Sequence, residues 1–265
     1  MSMSLKSSSS SEISIKTWPK LTLYGDLNMR PFRNAWMLEE IGLGYDYVNC
    51  KPWSKQAKAV HPLGKVPALL VEQRDKQQFT LVESAAINTF LGDVAREIDG
   101  NKYNLVPPPA TQLRAKYDSL TSFITAELDS QALWIHRKHC DMKEFFGDAP
   151  TAVFEAKRQF GKALDAIENE LNFESGYSLH CGFSACDILL SNCLFWAQQI
   201  GWLAKSSDES LLSSSAFAVN ERPKILSTKL ETYLANCKRR QGFIRANELR
   251  KDETYKEEER QRSKI

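Results

Sequence analysis

The spacing of apolar and polar residues changes once along the 265-residue chain, from alternating strand and helix patterns to helix patterns alone. Residues 20–24 alternate with a period of two and include β-forming side chains, which predicts a strand. Pro31 then suits the first turn of a helix that ends at Gly42. Further strands are predicted at 45–50, 67–72 and 79–82, followed by a helix at 83–96.

The order of these elements predicts a mixed four-stranded sheet covered by helices. The first two strands are joined through a helix, and a right-handed crossover of this kind makes them parallel. Only the polar turn 73–78 separates the last two strands, so we expect an antiparallel hairpin. Residues 18–97 are therefore predicted to form an α/β domain. The Ser-rich residues 1–17 before it are expected to be a disordered tail, or alternatively a short organelle-targeting segment.

The second half is predicted to be an all-helical bundle, which gives the fold class α/β followed by all-α. The linker 98–110 separates the halves and holds three prolines at 107–109, which neither a helix nor a central strand accommodates. Helical periodicity covers 111–246, and the charge-dense residues 247–265 are expected to form an extended or fraying tail. Helices are predicted at about 111–137, from Pro150, at 188–200 and at about 223–239.

Ser184 and Asp187 mark the start of the most apolar helix. The Ser184 hydroxyl can accept from the Asp187 N–H while the Asp187 carboxylate reaches back to the Ser184 N–H, which is a capping box. From Ile188 to Ile200 the sequence is almost without charge. A helix that is apolar all round is buried, so we expect this one at the centre of the helical domain.

Composition and charge exclude several classes of protein. A hydrophobic share of 42% and a charged share of 26% are ordinary for a globular protein, and no apolar run approaches the ~20 residues of a membrane span. The net charge is +2, and the basic run 238–240 suits a helix C-terminus better than a nucleic-acid surface. The six cysteines form neither a C-x-x-C pair nor a zinc-binding spacing. We therefore expect no membrane, no nucleic acid and no metal, with free thiols in a reducing compartment.

The segment 61–69 and the dipeptide Glu83-Ser84 carry the most specific chemistry. Val66-Pro67 stands at the entry to a strand, where a proline loses no ladder hydrogen bond. A cis bond there would turn the Val66 backbone outward and leave its N–H and C=O free for a short extended peptide. Glu83-Ser84 opens a helix whose N-terminal N–H groups favour an anionic group. Together the two features suit glutathione, whereas taken singly each is better explained as a strand-entry turn or a helix cap.

Six segments carry a resemblance to a known family: 21–25, 30–33, 36–42, 64–69, 83–84 and 183–188. Over roughly residues 20–240 the chain resembles the glutathione transferases. The resemblance implies a thioredoxin-like first domain, an all-helical second domain, a cytoplasmic location and a homodimer. It also implies glutathione as co-substrate and a hydrophobic small molecule as its acceptor.

The resemblance assigns a role to each residue of the predicted glutathione site. Val66, which precedes Pro67, would pair with the cysteinyl part of glutathione. Glu83 and Ser84 would hold the γ-glutamyl end. Lys65 would assist the glycyl carboxylate, with a solvated lysine as the alternative.

Position 29 departs from the family pattern. Catalysis needs the glutathione thiolate, and a hydroxyl or N–H donor aimed at the sulfur lowers the pKa of the thiol by stabilising its charged form. Family members that use a serine or cysteine donor place it where this chain has Met29, whose thioether donates no hydrogen bond. The remaining catalytic candidates are Tyr24, Asn28 and Arg30, with Tyr24 preferred although a strand tyrosine can also face the core.

Three hypotheses on function follow. The first is an enzyme that conjugates glutathione to a hydrophobic electrophile in detoxification, with the electrophile bound between the domains near Trp134, Phe123 or Tyr117. Core packing is the alternative role for each of these aromatic residues. The second is a binding module that has lost efficient chemistry, which Met29 favours. The third is an interaction domain on the same fold, to which the charged tail lends slight support.

Overall fold

A computed structural model describes residues 17–171, 173–208 and 222–262, so the expected tail at 1–17 lies almost wholly outside the described residues. The first domain contains four strands and three helices. In chain order they are β1 (Lys20–Tyr24), α1 (Pro31–Ile41), β2 (Asp46–Val48), α2 (Lys55–Val60), β3 (Ala68–Glu72), β4 (Gln78–Val82) and α3 (Ser84–Asp99).

The four strands form one mixed sheet in the order β2-β1-β3-β4. Strand β1 runs parallel to β2 and antiparallel to β3, and β3 pairs with β4 as an antiparallel hairpin, as the sequence predicts. Helix α2 was not predicted from the irregular stretch after β2. It forms because Ser54 caps it, its side chain accepting from the Ala57 N–H at 3.2 Å.

The second domain is built from helices, together with one short pair of strands. Its helices are α4 (Gln112–Phe123), α5 (Trp134–His136), α6 (Lys143–Phe146), α7 (Pro150–Glu170), α8 (Ala185–Gln199), α9 (Thr228–Lys238) and α10 (Gln241–Arg262). The strands β5 (Leu203–Ala204) and β6 (Lys224–Ile225) pair in parallel. Among the described helices, none is both long and apolar enough to cross a membrane.

The predicted long helix is one continuous helical segment through residues 112–141. Two stretches of it, Ile124–Leu133 and Arg137–Asp141, have π-helical hydrogen bonding. π-Turns widen a helix locally and are frequent at functional sites. Here they redirect the side chains that face the first domain.

Two boundaries differ from the sequence prediction. The helix expected from about residue 223 begins at Thr228, because residues 224–225 pair with β5 and Ser227 caps the helix through the Leu230 N–H. The expected extended tail from residue 247 is instead helical as far as Arg262, as part of α10. Helix α10 packs along α1 of the first domain.

Helix α8 lies at the centre of the helical domain, as its apolar sequence predicts, and ten of its residues are buried. At its start the Asp187 carboxylate accepts from the Ser184 N–H at 2.8 Å and from the Ser178 N–H at 2.7 Å. This buried carboxylate fixes the loop before α8. The central helix therefore gives the second domain a rigid base on which the long helix presents its side chains.

Candidate functional site

Two clefts lie beside Arg30, which lines both of them. The first cleft has a volume of ≈ 180 Å³ and lies against the ends of β3 and α3. Its lining includes all of the predicted glutathione-binding residues, which are Lys65, Val66, Pro67, Glu83 and Ser84. The second cleft is larger, ≈ 800 Å³, and is lined by the loop after β1, the long helix, α8 and α10.

Val66 presents its backbone to the first cleft. The Val66-Pro67 bond is cis, as the sequence predicts. Within the described residues, neither the N–H nor the C=O of Val66 takes part in a hydrogen bond. Gly25 makes room for this turn, since a side chain on Gly25 would lie 2.9 Å from Val66 Cβ and 2.3 Å from Pro31 Cγ. The wall thus offers one free backbone donor and one free backbone acceptor.

The N-terminus of α3 lies in the same cleft and has no side-chain cap. Its N-cap residue Glu83 has φ 71° and ψ 119°, a sparsely populated conformation that costs free energy and is concentrated at functional sites. Ser84 is only 6% exposed, and its hydroxyl has no hydrogen-bond partner in the described structure. An uncapped helix N-terminus with a buried, unsatisfied hydroxyl is suited to an anionic group.

His61 is a cleft residue that sequence reasoning did not assign to the site. Its Nδ1 accepts from the Leu63 N–H at 3.0 Å, which leaves the proton of the neutral ring on Nε2. Burial lowers the pKa of His61, the nearby Lys65 charge lowers it further, and Glu83 opposes the shift. The ring is therefore neutral at physiological pH.

Asp129 joins the two domains from the opposite side of the first cleft. It accepts from Arg30 Nε at 3.1 Å and from Arg33 Nη1 at 2.5 Å, and Arg30 Nη2 donates to it as well. These two guanidinium groups hold the pKa of the buried Asp129 carboxyl far below its usual range, although burial itself raises that pKa. The Arg30 guanidinium also lies 5.2 Å from the ring centroids of both Trp134 and Trp196.

The loop of the predicted thiol donors, residues 25–30, divides between the two clefts. Asn28 and Met29 line the second cleft rather than the first. The Asn28 amide donates to Thr254 Oγ1 of α10 at 3.1 Å, and its backbone N–H donates to Asp26 Oδ1 at 2.8 Å. Tyr24 is half-buried on β1, opposite Ala68, and is not among the described residues that line either cleft.

The three aromatic candidates for the electrophile pocket lie in different environments. Trp134 lines the first cleft. Tyr117 is fully buried in the core, with its hydroxyl 2.8 Å from Thr89 Oγ1, and Phe123 packs against the same core. The aromatic lining of the second cleft comes mostly from residues that the sequence analysis did not select: Phe32, Phe195, Trp196 and Phe243.

Comparison with known proteins finds a match to part of the first domain. The family model described as Glutathione S-transferase, N-terminal domain, matches residues 31–94. No curated protein matches the chain by sequence.

Several solved structures have the same fold over most of the chain. A glutathione transferase homologue from Sulfitobacter, with bound glutathione, is 17% identical and superimposes with a TM-score of 0.62, covering 86% of this chain and 97% of the other. A glutathione transferase from Methylococcus capsulatus is 21% identical with a TM-score of 0.60, covering 87% and 98%. The transferase URE2P8 from Phanerochaete chrysosporium, with oxidized glutathione, is 17% identical with a TM-score of 0.64, covering 90% and 98%.

These findings confirm the fold that the resemblance implied. The chain has the two-domain architecture of the glutathione transferases, in which a thioredoxin-like N-terminal domain that matches the family's own is followed by a helical domain.

Proposed function

We propose that the protein is a glutathione transferase, which conjugates the glutathione thiolate to a hydrophobic electrophile. One observation carries the proposal. The first cleft combines the free N–H and C=O of Val66 with the uncapped N-terminus of α3 and the unsatisfied Ser84 hydroxyl. These groups match the backbone and the carboxylate of a short acidic peptide.

The proposed binding mode follows from these groups. The α-carboxylate of the γ-glutamyl residue accepts from the first N–H groups of α3 and from Ser84, while its ammonium group faces the Glu83 carboxylate. The cysteinyl backbone pairs with Val66, next to Pro67, and Lys65 attracts the glycyl carboxylate. This arrangement places the sulfur toward Arg30, where the two clefts meet.

The chemistry then needs a thiolate at that point. The thiol proton passes to solvent, the sulfur forms a bond to an electrophilic carbon, and the leaving group departs with its bonding electron pair. Asn28 and Arg30 line the second cleft and are the proposed groups that stabilise the thiolate. The role of Tyr24 as a donor stays a prediction, as do the homodimer and the cytoplasmic location.

A second function is favoured by Met29. This residue stands at the donor position and lines the second cleft with a thioether, which cannot stabilise a thiolate by donating a hydrogen bond. The same fold would then hold glutathione without efficient turnover. Binding and turnover must therefore be measured separately.

The test is calorimetric titration of the full chain with glutathione and with cysteinylglycine, which lacks the γ-glutamyl residue. Glutathione should bind measurably and cysteinylglycine at least tenfold more weakly, since it loses the contacts at α3 (about 1.4 kcal/mol or more). Ser84→Ala should weaken glutathione binding by roughly tenfold or more, the effect of one hydrogen bond to a charged group. The substitution breaks no hydrogen bond of the free protein, because the hydroxyl has no partner there.

Ser119→Ala is the matched control, since Ser119 is exposed on α4 outside the first cleft. It should leave glutathione affinity unchanged. Equal binding of the two peptides, or equal loss in both serine variants, would contradict the binding mode. Turnover with a chlorodinitrobenzene then separates the enzyme from the binding module.

A further inference from the structure

The second cleft has walls of two kinds, aromatic and cationic. Its aromatic lining is Phe32, Phe195, Trp196 and Phe243. Its cationic lining, apart from Arg30, is Arg137, Lys205, Lys238 and Arg250, and its acidic lining is Asp141 and Asp208. Positive charge therefore exceeds negative charge among the described lining residues, which also include the neutral amides Asn28, Asn192, Gln198 and Gln199.

Arg137 is one of the half-buried cations that line the second cleft. It is half-buried in the second π-helical stretch, with its guanidinium 5.9 Å from the Trp196 centroid. Its side chain makes no ion pair and no hydrogen bond to the described residues. Burial lowers the pKa of Arg137, and the Arg30 charge adds to the shift, while the Asp141 and Asp26 carboxylates oppose it.

Arg250 of α10 is half-buried in the same way, whereas Lys238 of α9 is an exposed cation of the same lining. The Arg250 guanidinium lies 4.6 Å from the Phe32 centroid, and its polar contact among the described residues is the side-chain oxygen of Asn247, which is neutral. The Lys238 ammonium lies 4.6 Å from the Phe195 centroid. Burial lowers the pKa of both groups, and for Lys238 the Lys205 charge contributes.

Arg30 differs from these cations although it lines the same cleft, because it forms an ion pair with Asp129, which Arg33 shares. A half-buried cation without an ion-pair partner has lost hydration that no direct contact in the free protein replaces. A bound anion would supply the missing partner, and the aromatic walls would cover a flat apolar body.

We propose that the second cleft binds the electrophile as an aromatic organic anion, whose carboxylate or similar group is received by Arg137 and Arg250. That the bound anion reacts with glutathione rests on the proposed function. The preference of the cleft for an anion can be tested by binding alone. It narrows the expected acceptor from any hydrophobic small molecule to one that carries a negative charge.

Binding is tested with 3,5-dinitrobenzoate and its neutral amide, 3,5-dinitrobenzamide, titrated calorimetrically into the full chain. The wild-type protein should bind the carboxylate about tenfold more tightly than the amide, the effect of a charge-assisted hydrogen bond. The double variant Arg137→Gln/Arg250→Gln should lose most of this preference. Lys138→Gln, which removes a neighbouring charge outside the lining, should keep it.

Equal affinity of the wild-type protein for the two compounds would overturn the proposal, and so would a preference that survives in the double variant. If the double variant does not fold, the affinities of the wild-type protein for the carboxylate and the amide test the proposal on their own. An aromatic anion that binds because of total protein charge would lose its preference in Lys138→Gln as well, which also overturns the proposal.

Conjugation is tested with 4-chloro-3,5-dinitrobenzoate and its amide, with each kcat/KM divided by the uncatalysed rate with glutathione. In this reaction the carbon–sulfur bond forms and chloride leaves with the electron pair of the carbon–chlorine bond. If the carboxylate is preferred in binding but neither compound is conjugated, the proposed function fails and the charge preference stands. If both compounds are conjugated equally after this correction, the proposed function stands and the present inference fails.

Discussion

The wall of the first cleft and the loop 25–30, which ends at Arg30, differ in the state of their polar groups. On the wall, the Val66 backbone and the Ser84 hydroxyl have no partners in the described structure. In the loop, the polar groups are already engaged. Asp26 accepts from Lys51 Nζ at 2.6 Å and from the Asn28 N–H at 2.8 Å, and the Asn28 amide is held by Thr254.

This difference separates two roles that are close in space. Satisfied polar groups fix the shape of a segment, whereas buried groups without partners cost free energy that a ligand can recover. We therefore expect the wall to be the binding surface and the loop to be its rigid frame. Any group in the loop that is to stabilise a thiolate must give up an existing partner or act from a fixed position.

Asp129 lines the first cleft and also pairs with Arg30 of the loop. Its replacement should therefore cause the largest loss of stability. Asp129→Asn leaves Arg33, whose side chain is only 4% exposed, buried without its counter-ion. We expect a loss of about 3–5 kcal/mol in the free energy of unfolding, measured by urea denaturation, as for other broken buried ion pairs.

Asp118→Asn is the control for this experiment, because it removes an exposed pairing with Arg114 on the same helix. It should cost less than about 1 kcal/mol. If both variants lose the same stability, the Asp129 contacts do not hold the loop to the long helix, and the rigid-frame interpretation is wrong.

Met29→Ser sharpens the comparison by adding to the loop a hydroxyl that has no partner. If the glutathione sulfur lies near Arg30, the new donor should raise kcat by about tenfold, well below the effect of an optimised donor because its position has not been adjusted. The measurement is conjugation of a chlorodinitrobenzene at saturating glutathione. Met29→Leu keeps the apolar volume without a donor and should show no gain.

Equal rates in the two Met29 variants would place the sulfur away from this loop. Asn28→Ala and Tyr24→Phe then locate the donor, since the variant that slows turnover without weakening glutathione binding has lost it. Tyr24→Phe alone slowing the reaction would favour the strand tyrosine over the loop.

The wall could be predicted from the sequence because its parts are encoded locally. The local sequence at Val66-Pro67 predicts a turn, and the local sequence at Glu83-Ser84 predicts the start of a helix. The short β3–β4 hairpin between them brings both into one cleft. The parallel β1–β2 pair and the antiparallel β3–β4 pair follow in the same way from the crossover and the hairpin, whereas the pairing of β1 with β3 was not predicted. The unsatisfied state of the Ser84 hydroxyl was not predictable, because it depends on what the rest of the chain leaves empty.

Helix α10 could not be predicted because its partners lie about 200 residues away in the sequence. Arg240 pairs with Glu40 and Arg245 with Glu39, so charges just before the predicted tail are contacts to α1. Gly242 allows the close approach, since a side chain there would lie 2.6 Å from the Glu40 carboxyl carbon. Phe243 is the main apolar anchor, with its ring centroid 4.9 Å from that of Trp36.

The smallest expected effect is on the pH dependence of the free energy of unfolding. It should come from His61 on the wall and not from Asp129, which holds the loop. Burial gives His61 a pKa below its ordinary value of 6.5, so below that value the unfolded chain binds a proton that the folded chain resists. The free energy of unfolding should therefore fall as the pH is lowered from about 7.5 to 5.5. In the frame, the Asp129 carboxyl stays ionised throughout this range, because its pKa is held far lower.

His61→Asn keeps an acceptor for the Leu63 N–H but removes the titrating ring. Urea denaturation at the two pH values should show a smaller loss of stability in this variant than in the wild-type protein. The difference is expected to be modest, because the Glu83 charge opposes the shift. An unchanged pH dependence would mean that the pKa of His61 is the same in the folded and unfolded chains, so that the wall does not disfavour a charged ring.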